Sequence, residues 1–290
     1  MAPPAAPAYK LASRQNSAEE SNMSDDGLGL IQINGFKTDF ALICGPCCVE
    51  SEEACMRIAA KLSAAGITLF RGGAYKPRTS PYAFQGLEEK GLDILNKVKR
   101  QYNMAIVTEL MDTESMPSLC QVADVVQIGT RNMANYSLLK AVGKIDKPVL
   151  LKRGMCATLD EFLLAAEYVL AGGNPNVILC ERGVRTFSNH TRATLDLGLV
   201  PCVQAASHLP IIVDPSHAAG KTELVRPLAL AAVAAGAQGL LVECHDDPAT
   251  AKCDGQQAFA PEEIPGLMRQ IQQIRTVVQE GSRISTKQDR

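Results

Sequence analysis

The sequence predicts an α/β fold, a (β/α)₈ TIM barrel, and three observations favour it. Eight short runs of β-branched and aliphatic residues recur from residue 40 onward. Each run is followed by a polar or glycine-rich cluster and then by a stretch with helical periodicity, which is typical of buried parallel strands joined by helices. The eight units occupy about 240 residues, close to the roughly 250 of a typical barrel of this kind. A doubly wound open sheet is the alternative that the pattern leaves open.

The eight predicted strands each end in residues that could face a ligand. In chain order they are FALICGPC from Phe40, ITLFRGGA from Ile67, MAIVTELM from Met104, VVQIGTR from Val125, PVLLKRG from Pro148, VILCERG from Val177, PIIVDPSH from Pro210 and GLLVECH from Gly239. Helix start signals lie between the runs. Thr158, for example, precedes Asp160 and Glu161, and a hydroxyl followed by acidic residues favours a helix N-terminus.

Extra elements are predicted at both ends of the barrel. Asn34 and Gly35 lie between alternating apolar residues, a strong signal for a β-hairpin that would plug one barrel end. Residues 261–278 are predicted as a closing helix. The domain prediction is therefore a barrel with its N-terminal hairpin over residues 28–279, followed by a polar tail over 280–290.

Residues 1–27 are predicted to be a disordered leader. They are rich in Ala, Pro, Ser and charge, and contain too few apolar side chains to offset the entropy cost of ordering. The leader has no apolar core of a signal peptide, and its acidic residues argue against a transit peptide, so a cytoplasmic location is expected. The longest apolar run, residues 228–237, has ten residues, whereas a membrane span needs roughly 20.

Composition disfavours several classes of function. The chain has 29 Lys+Arg against 31 Asp+Glu, so a generic basic surface for nucleic acid or anionic lipid is not expected. The ten cysteines are scattered and are expected to be reduced thiols, most of them buried. Cys44 and Cys47 match the CxxC motif of thioredoxin-like proteins, but alternation along a strand would point them to opposite faces unless the chain turns between them.

Charged and reactive side chains concentrate at the predicted strand ends, where barrels place their ligand sites. Solvated loop charge would instead be distributed without regard to strand phase. Strand ends supply Cys47, Arg71, Glu109, Arg131, Lys152, Arg153, Arg182, Asp214, His217 and Glu243, and the loops beyond them supply Lys76, Arg78, Arg185 and Asp254.

One group of these residues predicts a metal site. Cys47, His217, Glu243 and Asp254 offer a thiolate, an imidazole and two carboxylates, a set suited to Mn²⁺, Fe²⁺, Co²⁺ or Zn²⁺. They come from strands one, seven and eight and the following loop, which are neighbours when a barrel closes. Taken singly, each has an ordinary structural alternative as a loop histidine, an ion-pair partner or a buried thiol.

The second group is cationic and predicts anionic ligands. Seven positive side chains around one barrel mouth would repel one another unless more than one phosphate or carboxylate group neutralised them. Arginine binds such oxyanions in a bidentate manner, and a lysine whose pKa is lowered by cationic neighbours can deliver a proton. The members are Arg71, Lys76, Arg78, Arg131, Lys152, Arg182 and Arg185.

Seven motifs, in the correct order, resemble the 3-deoxy-D-arabino-heptulosonate 7-phosphate (DAHP) synthases over about residues 30–278. They are GPCCVES, FRGGAYKPRTSPYAFQG, QIGTRNM, LLKRGM, CERGVRTF, VDPSHAAG and VECHDDPATAKCDGQQ. The chain most resembles the small type I enzymes, which are metal-site barrels with an N-terminal hairpin. The resemblance implies a transferase that condenses phosphoenolpyruvate with erythrose 4-phosphate and water, the first step of the shikimate pathway toward the aromatic amino acids.

The rival within this resemblance is 3-deoxy-D-manno-octulosonate 8-phosphate synthase, which uses arabinose 5-phosphate. That sister family usually carries an asparagine-containing segment where this chain has KPRTS at residues 76–80, so the four-carbon sugar is favoured. A catalytically inactive sensor of phosphorylated ligands is the alternative of another class. It is disfavoured because every predicted ligand and cation is present. The resemblance also implies a homodimer or homotetramer.

The resemblance assigns roles residue by residue. The metal ligands would be Cys47, His217, Glu243 and Asp254, and the phosphoenolpyruvate contacts would be Arg71, Lys76, Arg131, Lys152 and Arg182. Arg78 and Thr79 would contact the sugar phosphate, and Glu109 occupies a polar position beside the site. Lys76, Cys47 and His217 are the candidate catalytic residues, with Lys76 as a proton donor. Cys48, Cys244 and Cys253 depart from the commoner small residues and place extra thiols near the metal.

Overall fold

The computed structural model describes residues 31–33 and 36–288. Eight parallel strands close into a barrel in which each strand pairs with the next and the last pairs with the first. The strands are β3 (Ala41–Gly45), β4 (Leu69–Arg71), β5 (Ala105–Leu110), β6 (Val125–Ile128), β7 (Val149–Lys152), β8 (Val177–Glu181), β9 (Ile211–Val213) and β10 (Gly239–Glu243). Each lies within its predicted run, and closure of the sheet excludes the open doubly wound alternative.

The predicted hairpin is present and closes one end of the barrel. Strands β1 (Ile31–Ile33) and β2 (Phe36–Thr38) pair antiparallel, while the Asn34-Gly35 turn lies outside the described residues. Ile31 and Ile33 are buried and pack in one cluster with the apolar residues of the barrel interior. The alternating pattern thus places one apolar face of the hairpin on the N-terminal ends of the strands.

Helices surround the barrel and bury their apolar faces against the sheet in the largest cluster of the core. They are α1 (Glu52–Ala64), α2 (Glu89–Tyr102), α3 (Met116–Val122), α4 (Tyr136–Val142), α5 (Leu159–Ala171), α6 (Leu199–Ala206), α7 (Pro215–Ala219), α8 (Thr222–Ala234) and α9 (Ile264–Gln288). Short 3₁₀ turns cover Thr130–Asn132, Gly255–Gln257 and Pro261–Glu263. The predicted start signal before α5 forms a capping box, in which the Thr158 hydroxyl accepts from the Glu161 N–H at 3.2 Å and the Glu161 carboxylate accepts from the Thr158 N–H at 2.8 Å.

The closing helix differs from its predicted bounds at both ends. It begins at Ile264, after the 3₁₀ turn, and continues to Gln288 through most of the predicted polar tail. The residues after 278 include no proline, and five of the ten up to residue 288 are Gln, Glu, Arg or Lys, so the helix extends beyond the apolar periodicity that predicted it. The predicted leader, residues 1–27, lies outside the described residues.

The strand ends opposite the hairpin carry buried charge. Arg71, Lys152, Glu181 and Glu243 are the last residues of β4, β7, β8 and β10, and all four are buried. Buried charges are tolerated when they are paired and hydrogen-bonded, so a polar layer sits directly above the apolar interior. Within residues 31–33 and 36–288, no helix combines the length and apolar character needed to cross a bilayer.

Candidate active site

A cavity of about 470 Å³ opens at the C-terminal ends of the barrel strands. Both groups of candidate residues contribute to its wall. Of the sequence-predicted residues, those lining it are Arg71, Lys76, Arg78, Thr79, Glu109, Arg131, Lys152, Arg182, Arg185, His217 and Asp254. Cys47 and Glu243 do not line the cavity, but both are buried and both contact His217, which does. Arg153, also predicted from a strand end, does not line the cavity and instead pairs with Glu181 and Asp196.

A turn at Gly45 directs Cys47 toward this cavity. Gly45 has a φ of +148°, and a Cβ built there would lie 2.1 Å from the Arg71 carbonyl oxygen, so only glycine fits. The turn separates two cysteines of the CxxC motif: Cys44 packs in the outer core, whereas Cys47 joins a cluster with Cys48 and Cys253. Cys44 and Cys47 both remain free thiols.

Four donor atoms converge at one point, each from a side chain predicted as a metal ligand. The donors of Cys47, His217, Glu243 and Asp254 all lie within 4.8 Å of one another. The Cys47 Sγ is 3.0 Å from Asp254 Oδ2 and 3.9 Å from His217 Nε2, and the latter is 3.2 Å from Glu243 Oε1. Ligands of a tetrahedral ion at 2.0–2.3 Å would be separated by roughly 3.3–3.8 Å. The three measured separations lie just below or just above this range, and the donor types suit a borderline divalent cation.

The charge states around this cluster follow from burial and close neighbours. Burial lowers the pKa of His217 despite the adjacent Asp214 and Glu243, which favours the neutral imidazole that binds metals. Burial would raise the pKa of Glu243, but His217 and Arg71 outweigh it and the pKa is lowered. Burial and the Glu243 carboxylate raise the pKa of the Cys47 thiol well above its ordinary value. A coordinating cation deprotonates such a thiol.

Lys76 lies against the same cluster. Its Nζ donates to Cys47 Sγ at 2.7 Å and to the Cys47 carbonyl at 3.3 Å. Burial opposes the ammonium charge, but the neighbouring Cys47 sulfur, Glu109 and Glu243 outweigh burial and raise the pKa of Lys76. This direction is the opposite of the lowered pKa expected from cationic neighbours.

The seven predicted cations fall into two classes by partner. Arg71 pairs with Glu243 at 2.5 Å and Lys152 pairs with Asp214, while Lys76 donates a hydrogen bond to the Cys47 sulfur. Arg182 donates only to neutral acceptors, including the His217 carbonyl at 3.0 Å. Among the described residues, no carboxylate forms an ion pair with Arg78, Arg131, Arg182 or Arg185, so their charge is available to ligands. Protein carboxylates therefore neutralise some of these cations, whereas the sequence analysis expected anionic ligands to do so.

Outer hydrogen bonds hold the four donors in place. Asp214 accepts from the His217 backbone N–H at 3.0 Å and contacts His217 Nδ1 at 2.7 Å, which leaves Nε2 facing the other donors. Gln257 Nε2 donates to Glu243 Oε2 at 2.7 Å, and Arg192 donates to Asp254 Oδ1 at 2.9 Å. Arg192 and Gln257 were not predicted, because they lie in loops away from any strand end and carry no periodic signal.

Glu109 reaches the cavity because a glycine follows the neighbouring strand β6. A Cβ on Gly129 would lie 1.8 Å from Glu109 Oε1, so a larger residue would displace the carboxylate. Glu109 is buried and lines the cavity beside Gln127 and Arg131. The position of the Glu109 carboxylate thus depends on the absence of a side chain at Gly129.

Comparisons with known proteins identify the family of this chain. A profile of the DAHP synthetase I family matches residues 18–280. A phospho-2-dehydro-3-deoxyheptonate aldolase from Thermotoga maritima is 48% identical over 267 residues, which are 92% of this chain and 77% of that protein. A 2-dehydro-3-deoxyphosphooctonate aldolase from Trichlorobacter lovleyi is 32% identical over 269 residues, 87% of this chain and 97% of that protein. The crystal structure of a DAHP synthase from Thermotoga maritima matches with a TM-score of 0.81 and 44% identity, covering 87% of this chain and 74% of the other.

Proposed function

The chain belongs to the DAHP synthetase I family, and we propose that its barrel mouth catalyses the reaction of a DAHP synthase. This transferase condenses phosphoenolpyruvate with erythrose 4-phosphate and water to give DAHP and inorganic phosphate, the first step of the shikimate pathway. The observation that carries the proposal is a single cavity that combines a four-donor cluster with arginines lacking carboxylate partners. Such a cavity suits two phosphorylated substrates and a polarised carbonyl group.

The four-carbon sugar is favoured over arabinose 5-phosphate. The Thermotoga DAHP synthase shares 48% identity with this chain, and the octulosonate relative shares 32%. Pro77, Arg78 and Thr79 of the KPRTS segment line the cavity, which supports a role for this segment in sugar phosphate binding. An octulosonate synthase remains the second candidate because its reaction would use the same cluster and the same phosphoenolpyruvate residues.

The metal would be held by Cys47, His217, Glu243 and Asp254, and Mn²⁺, Fe²⁺, Co²⁺ and Zn²⁺ are the candidates. When bound, a divalent cation at this cluster supplies Lewis-acid polarisation of the sugar's aldehyde oxygen. The burial of Cys47 and Glu243 and the mutual distances of the donors support this assignment.

The cationic residues bind and orient the two anionic substrates. Arg71, Lys76, Arg131, Lys152 and Arg182 would hold phosphoenolpyruvate, while Arg78 and Thr79 hold the sugar phosphate. Bringing two anions that repel each other into one reactive geometry is a positioning effect worth several kcal/mol. The enol carbon of phosphoenolpyruvate would then attack the aldehyde carbon, whose oxygen takes up a proton and becomes a hydroxyl group. Water would add at C2 and give up a proton, which forms a hemiketal phosphate.

Lys76 is the proposed proton donor. Lys76 lines the cavity with its Nζ against the four-donor cluster, which supports this role. The raised pKa of Lys76 makes its ammonium a weaker acid in the protein without substrates. The proton from Nζ would assist departure of inorganic phosphate from the hemiketal phosphate. Cys47 and His217 contribute to catalysis as ligands rather than as nucleophile and base.

The decisive experiment measures phosphate release from phosphoenolpyruvate by the reduced protein with either sugar phosphate. Erythrose 4-phosphate and arabinose 5-phosphate are offered in parallel, each with Mn²⁺ and with EDTA. Turnover of the four-carbon sugar with Mn²⁺ and its loss with EDTA is the expected result. Turnover of the five-carbon sugar would assign the chain to octulosonate synthesis, and no turnover with either sugar would favour the inactive sensor.

Location and assembly remain predictions. A cytoplasmic homodimer or homotetramer without a nucleic-acid partner is proposed from the sequence and the family resemblance. Two aromatic side chains at loop tips beside the mouth, Tyr82 and Phe187, are almost fully exposed, and burial against a second copy would remove that apolar area from water. Light scattering coupled to size-exclusion chromatography measures the assembly directly.

A further inference from the structure

Each carboxylate of the four-donor cluster has one oxygen facing the other donors and one oxygen held from behind. Glu243 Oε1 lies 3.2 Å from His217 Nε2, whereas its Oε2 accepts from Gln257 Nε2 at 2.7 Å. Asp254 Oδ2 lies 3.0 Å from Cys47 Sγ, whereas its Oδ1 accepts from Arg192 at 2.9 Å. Glu243 Oε1 also accepts from Arg71 at 2.5 Å, and the outward oxygen of each carboxylate is held by a residue that does not belong to the cluster.

Arg192 and Gln257 form one connected unit. The same guanidinium nitrogen of Arg192 that donates to Asp254 also donates to Gln257 Oε1 at 3.0 Å. A guanidinium only donates and a carboxylate only accepts, so a single orientation of the Gln257 amide satisfies both neighbours. Gln257 is fully buried, and this orientation is therefore enforced by the cost of leaving a buried amide unpaired.

The backbone fixes Arg192 in this position. Its N–H donates to the Ala219 carbonyl at 3.1 Å, and its Cβ packs so closely on Gly220 that a side chain there would lie 2.6 Å away. Gly220 has a φ of +70° and ends α7, the short helix that carries His217. The loop after β8 and the helix after β9 are therefore packed together behind the cluster.

We propose that Arg192 and Gln257 are positioning residues that keep Glu243 and Asp254 as single-oxygen ligands of the metal. The inference rests on the metal site of the proposed function and extends it to the ion's coordination number. Carboxylates free to bind through both oxygens suit large ions with six to eight ligands, such as Ca²⁺. Four single-atom donors that include a thiolate instead suit borderline ions with few ligands.

Arg192 also lines the cavity, and its side chain is 37% exposed, so a role in substrate binding is the competing explanation. The two roles differ in the absence of substrate. A positioning residue changes the spectrum of the bound metal without any ligand present, whereas a substrate contact changes only the KM.

The test uses Co²⁺ as a spectroscopic probe of the reduced full-length protein. Arg192→Met and Gln257→Met are compared with the wild type by Co²⁺ titration, by the d–d absorption bands and by the thiolate-to-Co²⁺ charge-transfer band. Arg275→Met and Gln204→Met are the matched controls. Arg275 pairs with Asp39 and Gln204 donates to the Gly236 carbonyl, both away from the cavity.

The expected result is a 10- to 100-fold loss of Co²⁺ affinity in both variants, the usual range for residues that support metal ligands. The d–d bands should weaken as the coordination number rises, while the charge-transfer band persists because Cys47 is untouched. Competition by Ca²⁺ should become detectable in the variants. Both controls should retain the wild-type affinity and spectrum.

Unchanged spectra and affinity in both variants would overturn the inference, and a raised KM with a wild-type spectrum would assign Arg192 to substrate binding. If Gln257→Met does not fold, Arg192→Met and Arg192→Lys still decide, because Arg192 is partly exposed. A wild type that binds Co²⁺ as expected but turns over neither sugar contradicts the proposed reaction while leaving this inference intact. A wild type that binds no Co²⁺ overturns the metal site and the inference together.

Discussion

Cys47 is the residue on which the proposed metal chemistry depends most directly. Its sulfur contacts Lys76, Asp254 and His217, and no other described thiol belongs to the four-donor cluster. Cys47→Ala should lower kcat at least 100-fold, because the change removes a direct metal ligand. Mutation of a residue that only supports a ligand already lowers metal affinity or activity about 10–100-fold. Metal analysis and turnover with excess Mn²⁺ measure the effect.

Excess metal should not restore this loss. Cys202→Ala is the control, because Cys202 is an exposed free thiol on α6. Near-normal turnover of Cys47→Ala, with Cys202→Ala unchanged, would contradict the assignment of Cys47 as a ligand.

Arg78 differs from Arg71 in that no carboxylate within residues 31–33 and 36–288 forms an ion pair with it. Its guanidinium donates to the Cys253 sulfur at 3.0 Å, whereas Arg71 forms a buried ion pair with Glu243. Arg78→Ala should raise the KM for erythrose 4-phosphate at least 10-fold, since a hydrogen bond to a charged group is worth about 1.5–3 kcal/mol, which is a factor of ten or more. Steady-state kinetics with each substrate varied in turn measure this split.

The KM for phosphoenolpyruvate should remain within about twofold of the wild type. Arg78→Lys should recover part of the affinity for the sugar, since the charge is kept and the bidentate fork is lost. An equal rise in both KM values would show that Arg78 shapes the whole cavity and does not select the sugar phosphate.

At the scale of elements, the turn between β3 and α1 links backbone geometry to the site. Gly45→Ala would bring a Cβ to 2.1 Å from the Arg71 carbonyl, so the turn and the end of β4 must separate. We expect loss of metal binding and a decrease in stability of more than 2 kcal/mol, of which about 1–2 kcal/mol is the usual cost of this backbone conformation for a non-glycine residue. Urea unfolding and Co²⁺ titration measure the two effects.

Gly66→Ala is the matched control. Gly66 also has a positive φ, +85°, but no atom lies within 4 Å of a Cβ built there. Gly66→Ala should decrease the stability only by the conformational cost and should bind metal normally. Equal metal binding by both variants would mean that the Gly45 turn does not position Cys47.

The strands and the cluster were predictable from the sequence for a shared physical reason. A parallel strand buried on both faces is a continuous apolar run, so the residue at which the run ends marks the ligand-binding end of the barrel. That rule located Arg71, Lys152 and Glu243. It also selected Arg153, which does not line the cavity. Arg153 follows the end of β7 and turns toward Glu181 and Asp196.

The outer shell of the cluster could not be predicted in the same way. Arg192 and Gln257 meet only after the loops beyond β8 and β10 fold back, and no spacing in the sequence encodes that meeting. The end of α9 escaped prediction for another reason. A helix whose last turns are polar keeps its backbone hydrogen bonds but shows no apolar stripe.

At the scale of the whole molecule, the buried carboxylates make the free energy of unfolding depend on pH. Burial would raise the pKa of Asp214, but His217 and Lys152 hold the pKa well below its ordinary 3.8. Glu243 is likewise lowered from 4.5, and Asp254 from 3.8. A depressed folded-state pKa contributes stability that is present above the unfolded pKa and is lost as the pH falls toward the folded value.

We therefore expect the free energy of unfolding to be steady above about pH 7 and to fall gradually below about pH 6.5, because the unfolded His217 takes up a proton that the buried imidazole resists. It should fall more steeply below about pH 4.5, where the carboxylates are protonated in the unfolded chain. Urea titrations between pH 8 and pH 3 in the presence of EDTA measure both parts. Asp214→Asn should show a shallower acid dependence than the wild type, whereas Asp39→Asn, at an exposed ion pair with Arg275, should match the wild type. An identical slope for all three proteins would exclude Asp214 as a source of the acid dependence.

The hairpin at the opposite barrel end limits where substrates can enter and products can leave. Because Ile31 and Ile33 fill that end, substrates and products share the opening at the strand C-termini. Arg71 and Lys152 lie at its floor, 3% and 4% exposed, whereas Thr79 lies at its exposed rim. Under the proposed assignment of phosphoenolpyruvate to the floor and of the sugar phosphate to the rim, a molecule at the rim would block access to the floor, so we expect the enol phosphate to bind before the sugar.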